Sequence, residues 1–141
     1  SKAAIEKAAA LASEKGAKRA LMLPVSAPFH SALMGPAAEA MAEALAKVEA
    51  KNPVVPVVAN VRAAPVSDAE TIVKLLVEQV TGRVRWRETV EWFAENGVTT
   101  LYEIGTGKVL TGLAKRIDKR VAGVAVNTAA DIDAALAALN G

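Results

Sequence analysis

Residues 99–126 read TTLYEIGTGKVLTGLAKRIDKRVAGVAV, and this stretch decides the fold class. Its two ends are short runs of apolar and β-branched residues, which predict strands over 99–104 and 121–126. The apolar residues between them recur at helical spacing after a glycine-containing turn: Val109, Leu110, Leu113 and Ile117. A strand, a helix and a strand in that order form the unit from which parallel sheets are built.

The same alternation extends to both sides of this stretch. Apolar periodicity, helix caps and Gly or Pro stops predict further helices over 2–15, 31–50, 67–82, 86–96 and 131–139, the first capped by Ser1. Ser67 and Glu70 have the spacing of a capping box at the start of the third of these helices. Two apolar runs predict strands over 19–25 and 54–59, the second of the kind buried on both faces of a parallel sheet. We therefore predict an α/β protein with a mainly parallel sheet.

Composition narrows the classes of function. The chain has 141 residues, of which 52% are hydrophobic, and its formal net charge of +2 is spread over interleaved acidic and basic residues. This pattern gives no electrostatic footprint for nucleic acid. No apolar run approaches the roughly 20 residues of a membrane-spanning helix, and no targeting signal is visible. The absence of cysteine excludes disulfides and thiolate chemistry, so we expect a protein of the reducing cytoplasm.

The single histidine, His30, is the strongest candidate for chemistry. It lies in the segment VSAPFHS, just after the predicted strand over 19–25, where parallel-sheet enzymes place catalytic groups. An imidazole can accept a proton from a nucleophile and return it to a leaving group near neutral pH. A partly buried histidine that caps a helix fits the residues equally well. A metal site is not expected, because one histidine with scattered carboxylates is a poor ligand set.

The turn over 105–108, Gly-Thr-Gly-Lys, is a second candidate. Backbone amides at a strand-to-helix turn can bind an anion, which would allow a regulatory anion-binding domain. The glycine spacing of a phosphate-binding loop is absent, however. A tight helix entry that needs small residues is therefore the favoured interpretation.

Four blocks of sequence, in order, resemble the acyltransferases that load malonyl groups onto acyl carrier protein in fatty acid biosynthesis. The blocks are LPVSAPFHSALM over 23–34, PVVPVVANV over 53–61, QVTGRVRW over 79–86 and LYEIGTGKVLTGL over 101–113. The resemblance implies a parallel-sheet, hydrolase-like core with a small ferredoxin-like subdomain. In that arrangement residues 1–27 would be the last helix and strand of the small subdomain, and residues 28–141 the C-terminal part of the large one.

The resemblance also implies a role for particular residues. His30 is similar to the catalytic histidine, and Gln79 resembles the glutamine whose main-chain carbonyl orients that ring. Phe29 and Asn60 fall at substrate-binding positions, where Phe29 resembles the bulky residue associated with a malonyl preference. The implied substrates are malonyl-CoA and acyl carrier protein, with no metal or other cofactor.

One departure from the family pattern is large. The chain contains no Gly-x-Ser-x-Gly, the motif that carries the nucleophilic serine in this family. The resemblance therefore implies a C-terminal half whose serine belongs to a missing N-terminal half, so that the chain alone would be inactive and would expose apolar surface. The alternative is a module that binds CoA or acyl carrier protein without catalysis.

Overall fold

The computed structural model describes residues 1–140, which form six helices and four strands. The elements in chain order are α1 (Lys2–Glu14), α2 (Gly35–Leu45, preceded by a 3-10 turn over Ala32–Met34), β1 (Val57–Ala59), β2 (Ala64–Val66), α3 (Ala69–Thr81), α4 (Trp86–Glu95), β3 (Thr100–Ile104), α5 (Val109–Ile117), β4 (Ala122–Val126) and α6 (Ala129–Asn140). The predicted α/β class is confirmed, and α1, α3, α4, α5 and α6 lie close to their predicted positions.

The stretch that decided the fold class forms a parallel strand pair joined by a helix. β3 and β4 pair in parallel, from Thr100 opposite Ala122 to Ile104 opposite Val126. Helix α5 packs directly on β4. The packing is so close that a Cβ atom added at Gly123 would lie 2.7 Å from the Thr111 Cβ. A glycine at this point of the strand therefore permits a close approach of helix and sheet.

The prediction of a buried parallel strand over 54–59 was wrong. Only Val57–Ala59 is a strand, and it pairs antiparallel with β2, with Val57 opposite Val66. The turn between them places Ala63 at φ +52°, and the Ala63 amide donates to the Ala59 carbonyl at 2.7 Å. A continuous apolar run fits a buried parallel strand and a local hairpin equally well. Here the run pairs with the next strand along the chain, β2.

Three other predictions need correction. Residues 19–25 form no strand, because no other strand of the described residues pairs with them and a strand needs a ladder partner. The helix predicted over 31–50 is shorter, since it opens as the 3-10 turn and ends at Leu45. At the start of α3 the cap is Asp68, not Ser67: the Asp68 carboxylate accepts from the Thr71 amide at 2.8 Å.

The buried core of the described residues is confined to the second half of the chain. It consists of side chains from α3, α4, α5, the residue before β4 and the end of β4: Leu75, Thr89, Val90, Ala94, Ala114, Val121 and Val126. Large apolar side chains elsewhere face outward, among them Leu23 (74% exposed) and Val54 (fully exposed). The expectation of uncovered apolar surface is therefore met. None of the described helices is long and apolar enough to cross a membrane.

Candidate active site around His30

The backbone around His30 is fixed by a local turn. His30 has φ +58°, a left-handed conformation that histidine tolerates better than most residues. The Ser31 hydroxyl donates to the Pro28 carbonyl at 2.8 Å and accepts from the Leu33 amide at 3.4 Å. The hydroxyl thus bridges the two sides of His30, and the imidazole projects from the turn as an exposed side chain.

The C-terminal turn of α3 faces the imidazole. The Nδ1 atom of His30 lies 2.9 Å from the main-chain carbonyl oxygen of Gln79. Carbonyls in the last turn of a helix have no partner within the helix, and the Gly82 amide returns to the preceding carbonyl, that of Glu78. The Gln79 carbonyl is therefore left for His30.

This contact assigns the proton on the neutral ring. A carbonyl oxygen only accepts hydrogen bonds, so Nδ1 carries the hydrogen and Nε2 has a free lone pair. The side-chain Nε2 of Gln79 also lies near Nδ1, at 3.4 Å, but an Nδ1 that donates to the carbonyl cannot accept from it. We assign the shorter contact as the hydrogen bond. The ring is thereby held in the tautomer that a general base at Nε2 requires.

The side chain of Gln79 has a partner of its own. Its Nε2 donates to the Gly82 carbonyl at 2.9 Å, whereas its Oε1 is buried without a hydrogen-bond partner. Exchanging the two atoms would set Oε1 against the Gly82 carbonyl, so the amide has one favourable orientation. Gln79 and Asn60 both line a mainly apolar cavity of 150 Å³ between the β1–β2 hairpin and α3.

The structure brings some of the candidate residues into contact and leaves others apart. His30 and Gln79 are in direct contact although 49 positions separate them. Asn60 shares the cavity with the Gln79 side chain, and its main-chain carbonyl accepts from the Arg85 amide at 2.8 Å. Phe29 adjoins His30 in the turn, is 58% exposed and does not line that cavity.

Residues 82–85, which we call the strap, connect these parts, a structural role that the sequence analysis did not predict. Arg85 anchors it to the hairpin turn through its amide and through Nη1, which donates to the Arg62 carbonyl at 3.0 Å. At the other end, a Cβ atom at Gly82 would lie 2.8 Å from Val61 Cγ2 and 2.9 Å from the Glu78 carbonyl oxygen. The glycine after α3 signals a helix stop in the sequence, but not this close packing.

The turn over 105–108 does not offer a free anion site. The Gly107 amide donates to the Asn127 side chain at 2.7 Å, and the Glu103 carboxylate accepts from the amides of Leu110 and Thr111 at 3.0 and 2.8 Å. These hydrogen bonds, that from Thr111 above all, hold the pKa of Glu103 below its ordinary value. The negative charge that caps α5 would repel a second anion, so the tight-turn interpretation is supported.

Comparison with known proteins adds to this geometry. No family model matches the chain. It is, however, 50% identical over 135 residues to the malonyl CoA-acyl carrier protein transacylase of Salmonella typhimurium, and 44% identical to that of Bacillus subtilis. Each alignment covers 96% of this chain, and 44% and 43% of the respective relative.

The chain is homologous to malonyl CoA-acyl carrier protein transacylases over 96% of its own length. It superimposes on the acyl-carrier-protein S-malonyltransferase of Bartonella henselae with a TM-score of 0.88 and 62% identity. A malonyl-transacylase in complex with a type II polyketide acyl carrier protein gives 0.86 at 47% identity. The chain is nearly covered in both superpositions but spans only 44% of each transacylase, which is less than half of its length.

Proposed function

We propose that this chain carries the general base of an acyl carrier protein S-malonyltransferase acting in the cytoplasm. The observation that carries the proposal is the hydrogen bond from His30 Nδ1 to the Gln79 carbonyl. It orients the ring and leaves Nε2 able to accept a proton without a carboxylate partner. The names of relatives that align over nearly the whole chain support malonyl transfer as the reaction.

In the first half-reaction a serine hydroxyl is the nucleophile. Nε2 of His30 takes the serine proton while Oγ attacks the thioester carbonyl of malonyl-CoA. The tetrahedral intermediate collapses by breaking the C–S bond, and the CoA sulfur leaves with the proton from Nε2. The products are free CoA and a malonyl-serine ester.

In the second half-reaction the acceptor is the phosphopantetheine thiol of acyl carrier protein. Nε2 takes the thiol proton, the sulfur attacks the malonyl ester, and the serine Oγ leaves with that proton. The ring returns to its starting state after each half-reaction. A neutral, Nδ1-protonated imidazole is thus the required resting form of His30.

The proposal assigns the serine to a part of the polypeptide outside these 141 residues, which contain no Gly-x-Ser-x-Gly. Residues 1–27 would close the small ferredoxin-like subdomain, and residues 28–141 would complete the large one. We place Phe29 and Asn60 along the bound malonyl-CoA: Phe29 adjoins His30 in the chain, and Asn60 lines the same cavity as Gln79. Both assignments rest on the family resemblance.

The test replaces His30 in the complete polypeptide, with the serine-bearing part included. His30→Asn removes the base but tolerates the left-handed backbone, and we expect transfer of labelled malonyl from CoA to acyl carrier protein to fall roughly 10²- to 10⁴-fold. The matched control is Lys47→Asn, on an exposed residue just after α2, which should leave the rate unchanged.

Two results would overturn the proposal. One is undiminished transfer by the His30→Asn variant. The other is transfer by the 141-residue chain alone, since it lacks the motif of the nucleophile. Binding of acyl carrier protein by the complete polypeptide without any transfer would instead support the non-catalytic binding module.

A further inference from the structure

The direction of the Gln79 carbonyl depends on how α3 ends. Gln79 lies in the last turn of the helix, where backbone hydrogen bonds run out and fraying is easiest. Gly82 then turns the chain into an extended conformation, with φ −85° and ψ 152°. Something must hold this turn in place if one of its carbonyls is to orient a side chain from a distant segment.

The side-chain amide of Gln79 supplies that hold. We propose that it is a positioning group for His30: by donating to the Gly82 carbonyl, Nε2 ties the end of α3 to the strap and keeps the Gln79 main-chain carbonyl aimed at Nδ1. One residue thus orients the ring with its backbone and steadies that backbone with its side chain. This inference rests on the proposed role of His30 as the base.

The strap holds the Gly82 carbonyl, which accepts the hydrogen bond from Gln79 Nε2, in a fixed position. Arg85 holds its far end to the hairpin turn by two hydrogen bonds to main-chain carbonyls, at 2.8 and 3.0 Å. The Gly82 end is packed so closely against Val61 that even one added methyl group would force a shift. Movement of the Gly82 carbonyl is therefore limited from both sides.

The hydrogen bond from Gln79 Nε2 to the Gly82 carbonyl affects the orientation of His30 because the group that orients Nδ1 is a neutral carbonyl. A carboxylate would attract the ring N–H over a range of positions, whereas one neutral hydrogen bond weakens steeply as its angle degrades. If the last turn of α3 frays, Nδ1 loses its acceptor and the two neutral tautomers become similar in free energy. The Nε2–H tautomer cannot accept the serine proton, so the reactive population falls.

The experiment uses two substitutions in the complete polypeptide, Gln79→Met and Gln79→Asn. Methionine keeps the volume without a donor, and asparagine keeps an amide that is one methylene too short to reach Gly82. Both retain the main-chain carbonyl. Lys74→Met, on an exposed residue of the same helix that pairs only with Glu70 at 2.6 Å, is the matched control.

The first readout is the tautomer of His30, measured from ring ¹⁵N shifts of histidine-labelled protein and assigned with the His30→Asn variant. We expect the parent and Lys74→Met proteins to show Nδ1 protonated and Nε2 bare, and both Gln79 variants to show a mixture. The second readout is steady-state transfer. We expect kcat to fall about tenfold in the Gln79 variants while KM for malonyl-CoA stays within about twofold.

The outcomes separate this inference from the proposed function. Gln79 variants that fold with the parent tautomer and the parent kcat overturn the positioning role while leaving His30 as the base. Undiminished activity of His30→Asn overturns the base itself. A fall in kcat for the Gln79 variants with an unchanged tautomer also counts against the inference, because a purely structural defect would produce it.

Discussion

Residues 75–126 contain every buried side chain of the described chain, whereas residues 1–56 contain none. Both regions are rich in apolar residues, so hydrophobicity of sequence alone does not separate them. What differs is packing: residues 75–126 bring α4, α5 and β4 together, while no side chain of α1 or of residues 17–31 is buried. His30 belongs to the poorly packed region and depends on α3 for its orientation. The candidate base therefore lies in the poorly packed region, whereas the carbonyl that orients it belongs to the region that contains the core.

The largest expected difference comes from the same substitution made in both regions. Val90 is fully buried and Val25 is 73% exposed. Val90→Ala removes two packed methyl groups and leaves a cavity, so we expect the free energy of unfolding to fall by roughly 2 kcal/mol. Val25→Ala should change it by less than about 0.5 kcal/mol. Urea unfolding followed by circular dichroism measures both.

A similar loss from Val25→Ala and Val90→Ala would break the comparison. It would mean that residues 17–31 are packed in solution against a surface that the described chain does not provide. Measuring the free energy of unfolding of both variants in the 141-residue chain and in the complete polypeptide shows whether such a surface belongs to the rest of the polypeptide.

A second pair of variants uses glycines. Gly123→Ala in β4 would drive a methyl group to within 2.7 Å of Thr111, so α5 must shift, and we expect a loss of about 1–2 kcal/mol. Gly35→Ala at the start of α2 meets no atom within 4 Å and has a helical φ of −46°. It should be neutral or stabilise by up to about 0.5 kcal/mol. Thermal unfolding of the two variants gives the contrast, and a stable Gly123→Ala protein would contradict the close packing of α5 on β4.

The smallest effect is a dependence on pH at the end of α5. Hydrogen bonds from the Arg120 side chain lower the pKa of Asp118 to about 2 from its ordinary value near 3.8. A carboxylate whose pKa is depressed by folding stabilises the folded state fully above its unfolded pKa, and loses that effect as the pH falls through its folded pKa. The contribution of Asp118 should therefore decline between about pH 4 and pH 2.

Asp118→Asn should remove this part of the acid dependence. Arg120→Ala should remove only the part due to the side chain, because the amide at position 120 still donates to the Asp118 carboxylate at 2.9 Å. The measurement is the midpoint of thermal unfolding at several values of pH below 5. If the difference in midpoint between parent and Asp118→Asn stays constant down to pH 2, the ion pair with Arg120 does not act as described.

The sequence predicted those parts of the fold whose signals are local. Helices α3 to α6 carry apolar periodicity with a cap or a glycine stop, and β3–α5–β4 follows from one short stretch. The hairpin β1–β2 was missed, because Ala64–Val66 has no β-branched run and the choice between local and distant pairing is not written in either strand. The strand over 19–25 failed for the related reason that strand propensity cannot supply a partner.

The candidate site was also predicted from residues alone only where its signal is local. His30 stood out as the only histidine after a strand-like run, but its residues alone left a base and a helix cap equally open. The contact with Gln79 spans 49 positions and came from the family resemblance rather than from spacing. The strap could not be found from sequence, because Arg85 donates to main-chain carbonyls of the hairpin that was itself mispredicted, and Gly82 packs against Val61 of that hairpin.

The left-handed backbone at His30 has a consequence for the evolution of this turn. At φ +58° the position admits glycine, asparagine, aspartate or histidine at low cost, and excludes β-branched side chains. A descendant that no longer needed the imidazole would therefore still avoid valine, isoleucine and threonine at position 30. The shape of the turn therefore restricts the substitutions open to position 30 independently of any selection for proton transfer.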